Sequence, residues 1–508
     1  MGRTVLVLGD QLDRRTGALR DATPGTDRVV MVESFSKLRE RPWHRHKLTY
    51  ILSAMRHFAA ELRDAGFDVT YRSAPSLRAG LEGFDPAELV VMAPSHWGLR
   101  QQLPAWGVEE VPNDAFIAGE QRFREWADRR ERGLLLEDFY RDVRRRHGWL
   151  MEGEEPIGGR WNLDADNRQT VPRTGLEVAP PPPYRPVEDD IDAQARADVA
   201  RWETELSLEL YGEERERLFP VTRTEALASL QRFLDRALNG FGPLEDAVVG
   251  EEPFLWHSLL SAPLNLGLLH PAEVCERVDA HYRETGGLLN SHEGFLRQVC
   301  GWREYVWGLY WYRMPAWRDE NALGQHGDVP RFFWDGDTDM HCVGSTLRDL
   351  RERAWTHHIP RLMIMGNFAL IAGVDPLRLA GWFHSMYIDG YDWVMVPNVV
   401  GMSQWADGGV MATKPYAASA NYINKMTDYC GGCRYDRRTR TEEDSCPFNS
   451  LYWDFLARNR ETLGGNFRMS RAIAQLDRFS DDERRRIRAR ARRFRADLPD
   501  PSPDAGSA

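Results

Sequence analysis

The sequence predicts an α/β domain built on a parallel sheet, followed by a large all-helical domain. Three observations lead there. Between residues 4 and 111, short apolar runs alternate with helical patterns, as in a parallel sheet with crossover helices. Residues 151–186 are rich in Gly and Pro and include the run Ala179-Pro180-Pro181-Pro182-Pro183, a linker composition. Beyond about residue 195 nearly everything reads helical. At 508 residues the chain is also too long for one ordinary core. The expected organisation is an α/β domain at 1–125, a helical and Pro/Gly-rich connection at 126–194, a helical domain at 195–498 and a disordered tail at 499–508.

Taken in order, residues 4–8 (T-V-L-V-L) form the first strand and lead into Gly9, Asp10 and Gln11. Val29–Val32 form the second, followed by Glu33. Lys47–Ala65 has helical apolar spacing, and Asp68–Arg72, Glu88–Met92 and Val108–Val111 are further strands. Such a Rossmann-like sheet binds ligands beyond the carboxyl ends of its strands. Asp10, Gln11 and Glu33 stand at two of those ends, where they either meet a ligand or only cap helices. No G-x-G-x-x-G is present, so a dinucleotide at this sheet is not supported. Phe123–Trp149 is charged and helical, and Asp189–Tyr211 resumes a helical pattern. Near the end, Glu483–Arg495 is strongly basic. With Asp481, Asp482 and Glu483 beside it, a solvated helix face is favoured over a phosphate-contacting one.

The formal net charge of -11 argues against bulk affinity for nucleic acid but leaves room for a local basic face. The 18 Trp exceed ordinary usage. They serve as core, or they stack on a planar cofactor and carry electrons. The start lacks the charged and apolar regions of a signal peptide, and no apolar run is long enough to span a membrane. A cytoplasmic protein is expected.

Two adjacent histidines, His357 and His358, lie between Trp355 and Arg361. Neighbours on a helix point about 100° apart, so the pair can serve one pocket from two directions. Four cysteines bracket them. Cys430-x-x-Cys433 has Cys446 after it and Cys342 far upstream. A structural zinc site made of four cysteines normally uses two CxxC knuckles. One knuckle with two single ligands leans towards an iron–sulfur cluster, with zinc still open. Cys275 and Cys300, on helical segments, read as buried thiols.

Several segments then carry a resemblance. V-L-V-L-G-D-Q-L at the start, F-L-R-Q-V-C-G-W-R-E-Y at 295–305, A-W-T-H-H-I-P-R-L-M at 354–363, G-W-F-H-S-M-Y-I-D-G-Y-D-W-V at 381–394 and A-T-K-P-Y-A-A-S-A-N-Y-I at 412–423 are similar to those of the iron–sulfur bacterial cryptochromes and photolyases, the prokaryotic (6-4) photolyases. The likeness covers nearly the whole chain. It implies the cryptochrome/photolyase fold, with FAD and a [4Fe-4S] cluster in the helical domain and a 6,7-dimethyl-8-ribityllumazine antenna in the α/β domain. FAD would be contacted by His257, Ser258, Leu260 and Ser261 of H-S-L-L-S, and by Gln298, Trp355, Arg361, Asp389, Tyr391, Met395 and Lys414. Gly9, Asp10, Gln11 and Glu33 would hold the antenna. The segment Trp43-His44-Arg45-His46-Lys47 matches the family's His-rich stretch only in part. Trp382 and Trp334 would carry electrons to the flavin, and Cys342, Cys430, Cys433 and Cys446 would hold the cluster. Met395 departs from the family pattern. It aligns with the residue facing flavin N5, usually Asn or an acid, and a thioether relays no proton.

The resemblance implies light-driven repair of (6-4) photoproducts in UV-damaged DNA by a monomer, with excited reduced FAD donating an electron. His358 would supply the proton and His357 would brace it. A cryptochrome-like photoreceptor without repair is the alternative. A light-independent flavin or iron–sulfur DNA-binding protein is the third reading.

Overall fold

The computed structural model describes residues 2–131, 133–170, 176 and 178–498. The expected tail at 499–508 lies outside them. Five parallel strands form the N-terminal sheet: β1 (Thr4–Leu6), β2 (Arg28–Ser34), β4 (Asp68–Ala74), β5 (Leu89–Met92) and β6 (Glu109–Val111), with β3 (Trp43–His44) outside it. The order is β4-β2-β1-β5-β6, with Thr4 opposite both Arg28 and Leu89. β1, β5 and the middle of β2 are buried throughout, the mark of a parallel sheet covered on both faces. The chain direction of the connections reverses between β1 and β5, so the ligand crevice of such a sheet lies beyond the ends of these two strands.

Helix α1 (Arg45–Asp64) covers one face. Helix α2 (Asp190–Glu205) is started by an Asp189–Asp192 capping box. It packs on α1, with Ala195, Val199 and Trp202 meeting Trp43, Leu48 and Leu52. It therefore belongs with the α/β unit, which places the unit's edge beyond the linker. The helical pattern expected to run to Tyr211 stops at Leu206, and Ser207 takes a positive φ of 53°. A short strand, Leu210–Tyr211, follows and pairs with β3. The tertiary partner decides here, because two residues are too few for a periodicity to show. Phe123–Trp149 likewise divides into helices Glu120–Asp128 and Leu136–His147. The start of the linker is anchored by buried Arg144, whose guanidinium donates to the carbonyls of Trp149, Leu150 and Trp161.

The helical domain's core is dense with aromatic residues. Trp307, Trp317 and Trp382 are almost fully buried, and Phe116 of the α/β unit stacks on Trp307 with ring centroids 3.7 Å apart. Most tryptophans are thus part of the packed core. Cys275 and Cys300 are fully buried, as expected. Helices α3 (His341–Arg353), α4 (Pro376–Met386), α5 (Asp392–Val396) and α6 (Pro447–Arg458) surround the candidate site. The basic segment is helix α7 (Asp481–Ala496), which buries Ile487 and Ala491 while most of its arginines face solvent. Among the described residues no helix is long and apolar enough to cross a membrane.

The WHRHK segment is an interdomain dock. His44 Nε2 meets the carbonyls of Leu350 and Arg351 at the end of α3. Lys47 is buried, and its ammonium donates to the carbonyls of His384 and Gly390. It also lies over the rings of Trp43 and Tyr391 at 5.1 and 5.3 Å. Helix C-termini expose unpaired carbonyls and attract cations, so this motif fastens the α/β unit to the wall behind the candidate site.

Candidate functional site

The centre of the site is Arg361. It sits on a widened, π-helical stretch, Pro360–Gly366, and two similar stretches, Arg297–Arg303 and Pro397–Ser403, bear Gln298 and follow Met395. Such insertions recur at functional sites because they re-aim side chains without ending the helix. Arg361 makes a two-point ion pair with Asp389 at 2.8 and 3.1 Å. Its Nε donates to the Thr356 carbonyl at 2.7 Å, and its guanidinium lies 4.2 Å from the Tyr387 ring centroid. Ser261 donates its hydroxyl to Asp389 at 2.7 Å, and Asn265 donates to the Asp389 carbonyl at 3.0 Å. The single Ser261 proton is therefore already engaged and is not available to a phosphate. Asp389→Asn should strand the half-buried Arg361 cation and cost about 3 kcal/mol of stability. Flavin content of the purified variant should fall with it, and equilibrium unfolding beside visible absorbance measures both.

Next to this pair, His257 and His357 stack with ring centroids 4.4 Å apart. His257 Nδ1 meets the Phe254 carbonyl at 3.1 Å. His357 is buried, and among the described residues its Nδ1 has no hydrogen-bond partner. The Tyr391 hydroxyl, which feels the Asp389 charge, is also buried and, among the same residues, unpartnered. Buried polar atoms are normally satisfied, so these are places for a bound group to be recognised. Trp355 and Phe254 face each other at 5.8 Å. Ser258 accepts from the Leu260 amide, and Leu259 between them holds a positive φ of 57°, a conformation costly for a side chain of its shape and typical of functional turns.

His358 is exposed. Protein crowding around it still pushes its pKa down to about 4, helped by Arg361 and His257. Burial holds His357 further down and brings His257 to about 4. Among the described residues no carboxylate acts on His358 to oppose this, so the charged donor form needs an anion brought by a ligand. Met395 is buried. Lys414 is exposed on a loop, and among the described residues no hydrogen bond or ion pair links it to Arg361 or Asp389. Tyr387, Thr356 and Asn265 were not singled out from sequence, although Tyr387 and Thr356 lie inside the motifs quoted above.

Trp382 is almost fully buried and its ring lies 6.5 Å from that of Trp334. Its indole N–H donates to the Phe333 carbonyl at 3.3 Å.

The four cysteines line one cavity with Met340, Ile423, Tyr429 and Phe448. Cys342 opens α3, Cys430 and Cys433 flank a tight turn, and Cys446 caps α6. A single tetrahedral zinc with Zn–S near 2.3 Å needs sulfurs about 3.8 Å apart. No three of these sulfurs lie mutually within 4.8 Å, so the set fits a wider, multi-iron core. Burial, then the neighbouring thiols, raise Cys342 well above its usual value and Cys430 to about 11. A metal must therefore displace the protons.

At the sheet crevice, Asp10 accepts from the Ser95 hydroxyl, and burial raises its pKa. Gln11 spends its amide N–H on the Met92 carbonyl at 2.8 Å. Glu33 accepts from Arg56, Tyr71 and Ser73 at 2.8, 2.7 and 2.6 Å. Any Cβ at Gly9 would lie 3.0 Å from the Met55 sulfur. Asp10 influences Tyr391 electrostatically, so this crevice borders the Tyr391 side of the candidate site.

Residues 5–207 match the family model described as deoxyribodipyrimidine photo-lyase-related protein. The chain is 42% identical over 510 residues to a (6-4) photolyase of Agrobacterium fabrum, covering 97% of this chain and 99% of that one. A class III photolyase from Agrobacterium tumefaciens superposes with a TM-score of 0.54 at 15% identity, over 94% of this chain and 98% of that one. A cryptochrome from Synechocystis sp. does so with a TM-score of 0.53 at 16% identity, over 79% of this chain and 82% of that one. The structural likenesses speak for the fold, and the sequence identity along almost the full length speaks for descent: the chain belongs to the deoxyribodipyrimidine photo-lyase-related family of photolyases.

Proposed function

We propose that the protein is a light-driven DNA photolyase of the (6-4) type, acting as a monomer on UV-damaged DNA in the cytoplasm. The observation that carries this is the meeting of the Arg361–Asp389 pair, the His257–His357–His358 group and the Trp382–Trp334 pair in one region, in a chain so close to a protein of that name. FAD fits the donor set. Arg361, Asp389, Asn265 and Tyr391 would hold its polar ring edge, Trp355 and Met395 its apolar faces, and the Ser258–Leu260 turn its phosphates. When bound, FAD supplies the light-excited electron. His358, exposed at this site, would hold the proton that the transferred oxygen needs once an anion of the bound ligand raises its pKa. His357 braces it from the buried side.

A [4Fe-4S] cluster is proposed at Cys342, Cys430, Cys433 and Cys446, supported by their common cavity and wide spacing. A lumazine antenna is proposed at the crevice beside Asp10, supported by its place at the strand ends. Gln11 and Glu33 would join it only by exchanging their present partners.

The test is direct. The purified protein's visible spectrum is recorded, and it is illuminated with DNA carrying either a (6-4) or a cyclobutane lesion. Repair of the (6-4) lesion alone is expected. The photoreceptor reading wins if neither lesion is repaired by flavin-loaded protein.

Trp382 and Trp334 are proposed as the electron entry path. Trp382→Phe and Trp334→Phe should each slow photoreduction while FAD stays bound. Steady illumination with absorbance detection checks this, and unchanged rates in both variants would remove them from the path.

A further inference from the structure

The Trp382–Trp334 pair does not end at Trp334. The ring of Tyr211 lies 4.9 Å beyond it, centroid to centroid, on the short strand Leu210–Tyr211. Tyr211 is half-exposed and donates its phenol O–H to the carboxylate of exposed Glu209. We infer that Tyr211 is the terminal electron donor of this path, and that Glu209 receives its proton when it is oxidised. This rests on the photolyase reading above.

The chemistry follows from what each ring can do with a positive charge. When Trp382 loses an electron to the light-excited cofactor, its indole N–H faces, among the described residues, only the Phe333 carbonyl, a poor base. Trp382 therefore stays a cation until Trp334 refills it. Trp334 is buried and, among the described residues, its N–H has no hydrogen-bond partner, so it cannot shed its proton into the protein. The vacancy passes on to Tyr211. There one electron leaves for Trp334 and the phenol proton moves along the existing hydrogen bond to Glu209, leaving a neutral phenoxyl radical. Proton transfer within hydrogen-bond reach is what makes this step efficient. Charge separation is then locked, since return of the electron requires return of the proton. A solvent thiol closes the cycle, giving one electron to the phenoxyl while the proton returns from Glu209.

A competing branch exists and is poorer. Tyr387 lies 6.0 Å from Trp382, but among the described residues its hydroxyl meets only that of Thr356, and the Arg361 cation covers its ring. Among the described residues no carboxylate accepts from its hydroxyl, and a fixed positive charge opposes a second one.

The experiment uses the full-length, cofactor-loaded protein and reads radicals rather than repair. After a flash, transient absorption and electron paramagnetic resonance follow protein made with ordinary or ring-deuterated tyrosine. The wild type should give a long-lived neutral tyrosyl signal that narrows on deuteration and forms more slowly in D2O. Tyr211→Phe should lose that signal, show a short-lived tryptophan radical instead, and photoreduce more slowly with thiol. Tyr211→Trp should restore photoreduction without the D2O effect. Glu209→Gln should keep Tyr211 in place but lower the tyrosyl yield. Repair by chemically reduced protein should be the same in all four. A tyrosyl signal and photoreduction rate unchanged in Tyr211→Phe overturn the assignment alone. A wild type that yields no tryptophan or tyrosyl radical overturns it together with the photolyase reading.

Discussion

His358→Ala should abolish light-driven (6-4) repair, lowering the rate by about 10²–10⁴-fold, the usual worth of a positioned acid, while FAD and damaged DNA still bind. The reason is competition with electron return. The lesion's oxygen must be protonated before the electron leaks back, and no other exposed acid is proposed at this point. His357→Ala should cost less, because His357 is buried and acts through its neighbour. A pH profile adds a second check. With the His358 pKa held to about 4 by its surroundings, the donor form grows scarcer as pH rises. Repair per absorbed photon should therefore fall steadily from about pH 6 to pH 9. Lesion phosphates or the bound cofactor's charge would move that fall upwards but not reverse its sign. Wild-type repair by His358→Ala under light would sink the donor assignment and strengthen the photoreceptor reading.

Cys430→Ser should give a protein with little iron and a loosened helical domain. The four thiols come from α3, the Tyr429–Gly432 turn and the start of α6, so the cluster would tie these segments together beside the His341–Tyr429 contact. Energy of metal-site binding becomes folding energy, on the order of 10 kcal/mol for comparable thiolate sites, and the loss of one ligand should remove several of these. Iron analysis, visible absorbance and thermal unfolding of anaerobically prepared protein measure the effect. Zinc without iron in the wild type would refute the cluster. Unchanged melting of the iron-free variant would refute its structural role.

Much of this was legible in the chain. Short, fully apolar runs at Val5, Val30 and Val90 announced strands buried on both faces, because only a covered parallel sheet hides every side chain of a strand. The cysteine pattern announced a shared centre, since a CxxC turn delivers two sulfurs to one point. His357 and His358 stood out because two adjacent histidines in an apolar stretch need a reason.

Other parts were out of reach. Glu33 looked like a ligand residue at a strand end, yet Arg56, Tyr71 and Ser73 already occupy its carboxylate. The Ser261 hydroxyl, on the segment expected to contact FAD, is given to Asp389. The W-H-R-H-K run turned out to fasten two units by capping helix ends. In each case the polar side chain was visible in sequence, but its partner was not.

The sequence by itself determined which segments become strands and helices, because period and propensity act over a few neighbouring residues. It also determined the family, through motifs spread along nearly the whole chain. Only the tertiary structure decided where each polar atom is spent. It spent the Ser261 hydroxyl on Asp389, 128 residues away, and set Tyr211 at the outer end of the tryptophan pair. Hydrogen bonds and electron hops depend on distances of a few ångströms between parts of the chain that meet only when it folds.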